Sequence, residues 1–351
     1  VFGGWDLSQD VALSSVGRAV PGVIIRGIEP GDILGWRLSR AGDLNGDGLD
    51  DLLVGTQFRD DEQGEAYVIY GGTSLPSDID LAVKGSWGVT VRGPPNRIRL
   101  AKEIAGTGDV NGDGLADFLV ASREEYPRGR AYLIYGSSSW DHVISVDDPT
   151  LDCVRMAGEP LPSFPYSSGG FGGSLAALGD WNGDGHSDFA ISAGGVSEGF
   201  ESYVGNVYLF FGGAALPPVI VASDVGGAVP GVELRGPHSH ASLGGASSGG
   251  DFDGDGQADL IVRASFAMYI IATGYAGQDF ALFACEPGSG SVEGGSEVRL
   301  RGSGFDEGTE VRIGGAIASE VQVLTSADLL AKTPPGKDWR KPGQPVPQKI
   351  T

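Results

Sequence analysis

The feature that most restricts what this chain can fold into is a fourteen-residue segment, acidic and then apolar, that occurs four times. GDLNGDGLDDLLVG (42–55) returns as GDVNGDGLADFLVA (108–121), GDWNGDGHSDFAIS (179–192) and GDFDGDGQADLIVR (250–263). The first aspartates, Asp43, Asp109, Asp180 and Asp251, stand 66, 71 and 71 residues apart. Such a spacing marks a repeated supersecondary unit. The flanks repeat as well. GEAYVIYGG, GRAYLIYGS and GNVYLFFGG follow the first three loops, and GVIIRG, GVTVRG, CVRMAG and GVELRG are short apolar segments closed by glycine. A small-residue stretch, such as LGWRLSRAGD or FGGSLAALGD, leads into each loop. These patterns predict four short strands per unit, with the acidic loop between the first and second strands and no helix of useful length.

A single four-stranded unit leaves edges and faces uncovered. Stacking units radially covers both, so the expected fold class is all-β, built of β-propeller blades over residues 1–275. A linear solenoid has shorter periods and uniform rungs. The 60 glycines follow no collagen period, and 40% hydrophobic residues suffice for a packed core.

The loops at 43–51, 109–117, 180–188 and 251–259 read D-x-[ND]-G-D-G-x-x-D. Oxygen donors fall at positions one, three, five and nine, with a backbone carbonyl at seven, which is the hard-oxygen set that Ca²⁺ selects. The candidate ligands are Asp43, Asn45, Asp47, Leu49 (carbonyl) and Asp51; Asp109, Asn111, Asp113, Leu115 (carbonyl) and Asp117; Asp180, Asn182, Asp184, His186 (carbonyl) and Asp188; and Asp251, Asp253, Asp255, Gln257 (carbonyl) and Asp259. Glycine at position six permits the positive φ of a sharp turn. The competing reading of any one loop is a polar turn facing water; four loops with every donor position kept argue for four Ca²⁺ sites. EF-hand and dockerin loops need a carboxylate at position twelve, where this chain has Val54, Val120, Ile191 and Val262.

A net charge of −22 opposes nucleic acid or an anionic membrane as partner, and the acidic loops account for much of it. Two cysteines, Cys153 and Cys285, exclude a disulfide scaffold or a cysteine zinc site. Cys153 reads as a small core residue. The apolar stretch 266–284 is interrupted by Thr273, Gly274, Gln278 and Asp279 and reads as strand and linker, not as a membrane span. His238 and His240 read as a solvated turn, and His186 as an exposed side chain. No phosphate loop, zinc helix motif or dinucleotide fingerprint occurs, so no catalysis is expected.

Phe171-Gly172-Gly173-Ser174-Leu175, the GDWNGDG that follows and GNVYLFFGG together resemble the FG-GAP repeat of integrin α-subunit propellers and their bacterial relatives. The second unit departs from that pattern with Arg97-Ile98-Arg99-Leu100 and the fourth with Leu243-Gly244. The resemblance implies Ca²⁺ in each loop, an extracellular interaction role and a propeller of the larger, seven-bladed type. Residues 283–351 resemble an IPT/TIG domain, an immunoglobulin-like sandwich, in Pro287, Gly294-Gly295, a turn at RGSGF (301–305), VRIGG and TPPG.

The expected function is therefore that of a calcium-binding extracellular or cell-surface adhesion module with a protein or glycan ligand. One alternative is a lectin, with Trp36, Trp87, Trp140 and Trp181 stacking on sugars. Another is the accessory propeller of a secreted enzyme, such as a polysaccharide lyase or a phospholipase. Val1 without a preceding Met suggests a processed or truncated piece. Val1-Phe2-Gly3-Gly4 matches the end of a third strand and GVIIRG a fourth strand. The expectation is that this strand belongs to an upstream blade and does not close a four-blade ring against residues 267–271.

Overall fold

The computed structural model describes residues 12–271, except 57, 60–62, 84–86, 95–98, 123–128, 160–169, 196–203, 214–215, 239, 252–256 and 266. Beyond these it describes 281–286, 297–303, 312–313, 316–325 and 328–332. Two compact units divide the chain, one of Val1–Gly231 and Gly236–Thr273, the other of Val232–Arg235 and Gly274–Thr351.

The N-terminal strand β1 (Ile24–Arg26) precedes the first repeat, which holds β2 (Arg37–Gly42), β3 (Asp51–Thr56), β4 (Glu65–Ile69), β5 (Asp78–Asp80) and β6 (Gly88–Arg92). The second repeat holds β7 (Glu103–Gly108), β8 (Asp117–Ser122), β9 (Arg130–Ile134), β10 (Val143–Ser145) and β11 (Cys153–Ala157). The third holds β12 (Phe171–Gly179), β13 (Asp188–Ala193), β14 (Asn206–Phe210), β15 (Val219–Val221) and β16 (Gly231–Arg235). The fourth holds β17 (Gly245–Ser248), β18 (Leu260–Arg263) and β19 (Met268–Ile271).

Each repeat forms an antiparallel meander with the acidic loop between its first two strands, in the orders β2-β3-β4-β6, β7-β8-β9-β11, β12-β13-β14-β16 and β17-β18-β19. These are propeller-type blades. First strands of successive blades lie side by side. Arg37 of β2 pairs with Glu103 of β7 at 2.6 Å, and the Ser174 hydroxyl of β12 donates to the Ala246 carbonyl of β17 at 2.8 Å.

The second strands run DLLVGT, DFLVAS and DFAISA, nearly unbroken apolar sequence, because both of their faces are covered. Along β8, Phe118 and Val120 join Leu53, Val68 and Val91 of the first blade. Leu119 and Ala121 point the other way, to Phe189, Ile191 and Phe210 of the third. The cores therefore lie between blades.

β5, β10 and β15 were not expected from the sequence. Each is a three-residue strand in the connection between third and fourth strands. Each pairs in parallel with the fourth strand of the preceding repeat: β5 with β1, β10 with β6, β15 with β11. Three residues are too few for a periodicity to show, and the partner lies in another repeat.

β1 behaves as a fourth strand. The 3₁₀ turn Leu13–Ser15 and the bridge Val16–Val20 before it recur as Ala222–Asp224 and Val225–Val229 before β16. Its ladder partner is β5, and among the described residues no ladder joins it to β19. Residues 1–4 lie outside the described residues.

In the C-terminal unit β20 (Ala281–Glu286), β21 (Glu297–Ser303), β24 (Ser319–Thr325) and β25 (Asp328–Lys332) form an antiparallel sheet ordered β20-β21-β25-β24. A hairpin joins β22 (Arg312–Ile313) to β23 (Ala316–Ile317). The turn expected at 301–305 begins later than the sequence suggested, because Arg301–Ser303 still pair with β20. TPPG lies outside the described residues. No helix of the described residues is long and apolar enough to cross a membrane.

Ile144 of β10 is 8% exposed and packs in the core between the first two blades, whereas Val219 of β15 is 65% exposed. Ile144→Ala is expected to cost about 2–5 kcal/mol, and Val219→Ala no more than about 0.5 kcal/mol. Urea unfolding midpoints measure both. Equal midpoints would show that β10 does not strap the first two blades together.

Candidate metal centres

Loops 43–51, 109–117 and 180–188 share one conformation. At position one, the Asp43 carboxylate accepts from the amides of Gly46, Asp47 and Gly48 at 2.8, 3.1 and 2.8 Å. Asp109 does the same with Gly112, Asp113 and Gly114 at 2.7, 3.1 and 2.8 Å. Asp180 accepts from Asp184 and Gly185 at 2.9 and 3.0 Å. At position three, Asn45, Asn111 and Asn182 each cap the amide of the residue at five. At position five, Asp47, Asp113 and Asp184 each accept from the amide at seven. The side chains at positions one, three and five thus wind about one short stretch of backbone, and Gly114 at position six turns it with φ +89°.

Position nine is different, lying where the loop enters the second strand, as the first residue of β3, β8 and β13 and the residue before β18. Asp51, Asp117, Asp188 and Asp259 are all buried. Asp117 accepts from Val110 at the start of its loop and from Gly136 at the end of β9, both at 2.8 Å. Asp51 repeats this with Leu44 and Gly71, and Asp188 with Trp181, Asn182 and Gly212. Burial pushes the Asp117 carboxyl up to about 7 and that of Asp188 to about 6, and it raises Asp51 as well. The hydrogen bonds oppose that rise, while neighbouring aspartates (Asp113 and Asp109 beside Asp117) add to it.

Gly71, Gly136 and Gly212 are therefore site residues that the sequence reading passed over, although the recurrent glycine closing YGG, YGS and FGG was the available signal. Their necessity is steric. A Cβ on Gly136 would lie 2.4 Å from the Ala116 carbonyl oxygen and 3.0 Å from that of Leu44.

In the fourth loop Asp251, Gln257 and Asp259 are described, and Asp253 and Asp255 lie outside the described residues. Asp50, the extra carboxylate of the first loop, pairs with Arg40 at 2.9 Å.

The donor set fits a hard divalent cation. Buried Asp117 sits among like charges, those of Asp113 and Asp109, which raise the cost of its ionisation. Among the described residues, however, no three acidic or imidazole side chains converge as a ready cage. The carboxylates at one and five are turned onto loop amides instead. An ion would be held by the side chains at one, three, five and nine and the carbonyl at seven.

Other candidates resolve by packing. His238 and His240 are exposed in a turn, as expected. His186 corrects its reading as an exposed side chain. Its ring lies over Gly112 of the preceding loop, where a Cβ would come within 2.6 Å, and its Nδ1 is buried. Cys153 is buried in the core. Of the tryptophans, Trp87 donates to the Val83 carbonyl and packs on Tyr67, Trp140 meets Phe118 edge-on, and Trp181 stacks on Phe211. Only Trp36 of these four is classed as exposed, and Arg37 lies 5.5 Å over its ring.

Comparison with known proteins gives two families. The FG-GAP repeat model matches residues 35–69, 103–134 and 243–278, and the IPT/TIG domain model matches 284–351. The third repeat lies outside those ranges but has the same meander and loop. Phosphatidylinositol-glycan-specific phospholipase D of Rattus norvegicus is 32% identical over 47% of this chain and 18% of its own length. Integrin alpha-4 of Xenopus laevis is 31% identical over 44% of this chain and 14% of its own. Integrin alpha-PS2 of Drosophila melanogaster is 34% identical over 45% and 11%. The chain thus spans less than a fifth of the length of these relatives.

Two glycine substitutions separate strain from collision. At Gly114 a Cβ meets nothing within 4 Å, so Gly114→Ala incurs only the left-handed backbone cost, about 1–2 kcal/mol. Gly136 has no left-handed φ but lacks room for a side chain, so Gly136→Ala must displace the amide that holds Asp117, a charge-assisted bond of about 1.5–3 kcal/mol. Thermal melting is expected to show the larger loss for Gly136→Ala. The reverse order would refute the assigned role of Gly136.

Proposed function

From a chain that carries FG-GAP repeats followed by an IPT/TIG domain, we propose a calcium-stabilised extracellular interaction module with no catalytic step of its own. The observation that carries this reading is the buried carboxylate at position nine of each loop. Asp117 is removed from water beside two further aspartates, whose charges oppose its ionisation. A divalent ion supplies the missing charge and favours the ionised form that the loop amides already bond. A donor set of hard oxygens alone, with His186 contributing its carbonyl and not its ring, selects Ca²⁺ over softer metals. The likeness to integrin α chains supports an exterior location and a protein ligand. Extracellular calcium modules bind in the range of about 10⁻⁴ to 10⁻³ M, where millimolar external calcium keeps them filled.

A second reading has its own support in the similarity to phosphatidylinositol-glycan-specific phospholipase D, of which this chain covers 18%. In it the blades are the accessory part of a secreted enzyme. The lectin reading keeps only Trp36 of its four tryptophans as an exposed ring, because Trp87, Trp140 and Trp181 are engaged in packing. Capture of the two candidate partner classes, protein ectodomains against glycans, on arrays with and without EGTA distinguishes the adhesion reading from a sugar-binding one.

Ion binding to the folded state alone stabilises it by mass action, and four sites add. EGTA is therefore expected to lower the melting temperature substantially, and a calorimetric scan indifferent to EGTA would refute structural calcium. Asp47→Ala, Asp113→Ala, Asp184→Ala and Asp255→Ala are each expected to cost one ion and to loosen their own blade first, since repeats couple to neighbours. Metal analysis after gel filtration counts the ions, and loss of all four from one substitution would contradict that picture.

A further inference from the structure

The loops touch one another in a repeating way. The carbonyl of Asp43, at position one of the first loop, accepts from the amide of Ala116, at position eight of the second, at 2.9 Å. The carbonyl of Asp109 accepts from the amide of Ser187, at position eight of the third, at 2.8 Å. The next carbonyl is also taken by the following blade. Leu44 accepts from Ser137 at 2.9 Å and Val110 from Gly213 at 2.7 Å, and each donor directly follows the glycine that holds a position-nine carboxylate.

The side chain at position seven completes the contact. A Cβ on Gly46 would meet the Leu115 methyl at 3.1 Å, and one on Gly112 would meet the His186 ring at 2.6 Å. The amide of Gln257, oriented with its nitrogen inward, lies 3.2 and 3.3 Å from the carbonyls of Asp180 and Trp181. The same position thus reaches back at all three junctions, with a methyl group, an imidazole and an amide.

Resting on the reading that these loops hold a divalent cation, we propose that Leu115, His186 and Gln257 are positioning residues for the loop before their own, so that neighbouring sites fill cooperatively. Position seven carries two jobs on one residue: its carbonyl is a donor in its own loop, while its side chain packs on the preceding loop, Leu115 and His186 against position four between donors three and five, and Gln257 against the carbonyls of positions one and two. Ordering the backbone of one loop therefore orders the side chain that braces its neighbour. The cost of ordering is then shared between sites, which is positive coupling, and coupling between binding free energies is reciprocal. The alternative, four independent turns, has no use for a residue that faces the neighbouring loop three times in three different chemistries.

The test is a Ca²⁺ titration of the full chain followed by the amide NMR signals of Gly114 and Gly185, which report the second and third loops separately. In the wild type the two midpoints are expected to coincide with a slope steeper than single-site binding. His186→Ala is expected to move the Gly114 midpoint about tenfold to higher Ca²⁺, the scale of an outer-shell support. It should move Gly185 less. Leu115→Ala is the second variant, read at Gly48, and guards against a folding defect peculiar to His186. Independent midpoints in the wild type, or a Gly114 midpoint unmoved by His186→Ala, would overturn the coupling while leaving the calcium reading intact. A wild type whose glycine signals ignore Ca²⁺ altogether would overturn both.

Discussion

The buried aspartate at position nine is the interaction on which the blades depend. Asp117 stands at the first residue of β8, where the acidic loop becomes core strand, and its two oxygens take one amide from the loop's start and one from the end of β9. One side chain thereby closes the loop, sets the register at which the second strand enters the core, and pins the third strand beside it. A hydrophobic residue there would leave the buried Val110 amide and the half-buried Gly136 amide without this partner, at a cost of about 1–3 kcal/mol for the buried one. A carboxylate satisfies both, but only by bringing negative charge into a dry place. That tension makes the same residue the natural anchor of a cation site.

Stacking of the blades follows from a second constraint. Because β8 and its counterparts bury both faces, no blade has a core of its own, and the apolar clusters belong to pairs of neighbours. Parallel strands β5, β10 and β15 bind each repeat to the one before it, and the loop-to-loop hydrogen bonds do so again at the acidic end. Structure and candidate function share these contacts: the backbone that would carry the ions is the backbone that joins the blades. In the proposed role, such a module would gain rigidity from external calcium and offer its remaining surface to a partner. The FG-GAP and IPT/TIG matches fit that division of labour, and the phospholipase D relatives suit an accessory role equally well.

Period, loop pattern and strand order were determined by the sequence alone. Four copies of D-x-[ND]-G-D-G-x-x-D, each running into an apolar strand, leave one local solution, because alternating donors, obligatory glycines and strand periodicity are short-range properties. The turn at His238 and His240 was legible for the same reason. Only the tertiary structure could decide what lies across a junction between repeats. The short strands β5, β10 and β15 have too few residues to show a period, and their partners are in another repeat. Gly136 looks like an ordinary turn glycine until the Ala116 carbonyl is found where its side chain would be. His186 reads as solvated from its own loop and is half-buried because the preceding loop covers it. A local pattern specifies a unit; what the unit's outward side chains meet is set by the neighbour, and no window of sequence contains both.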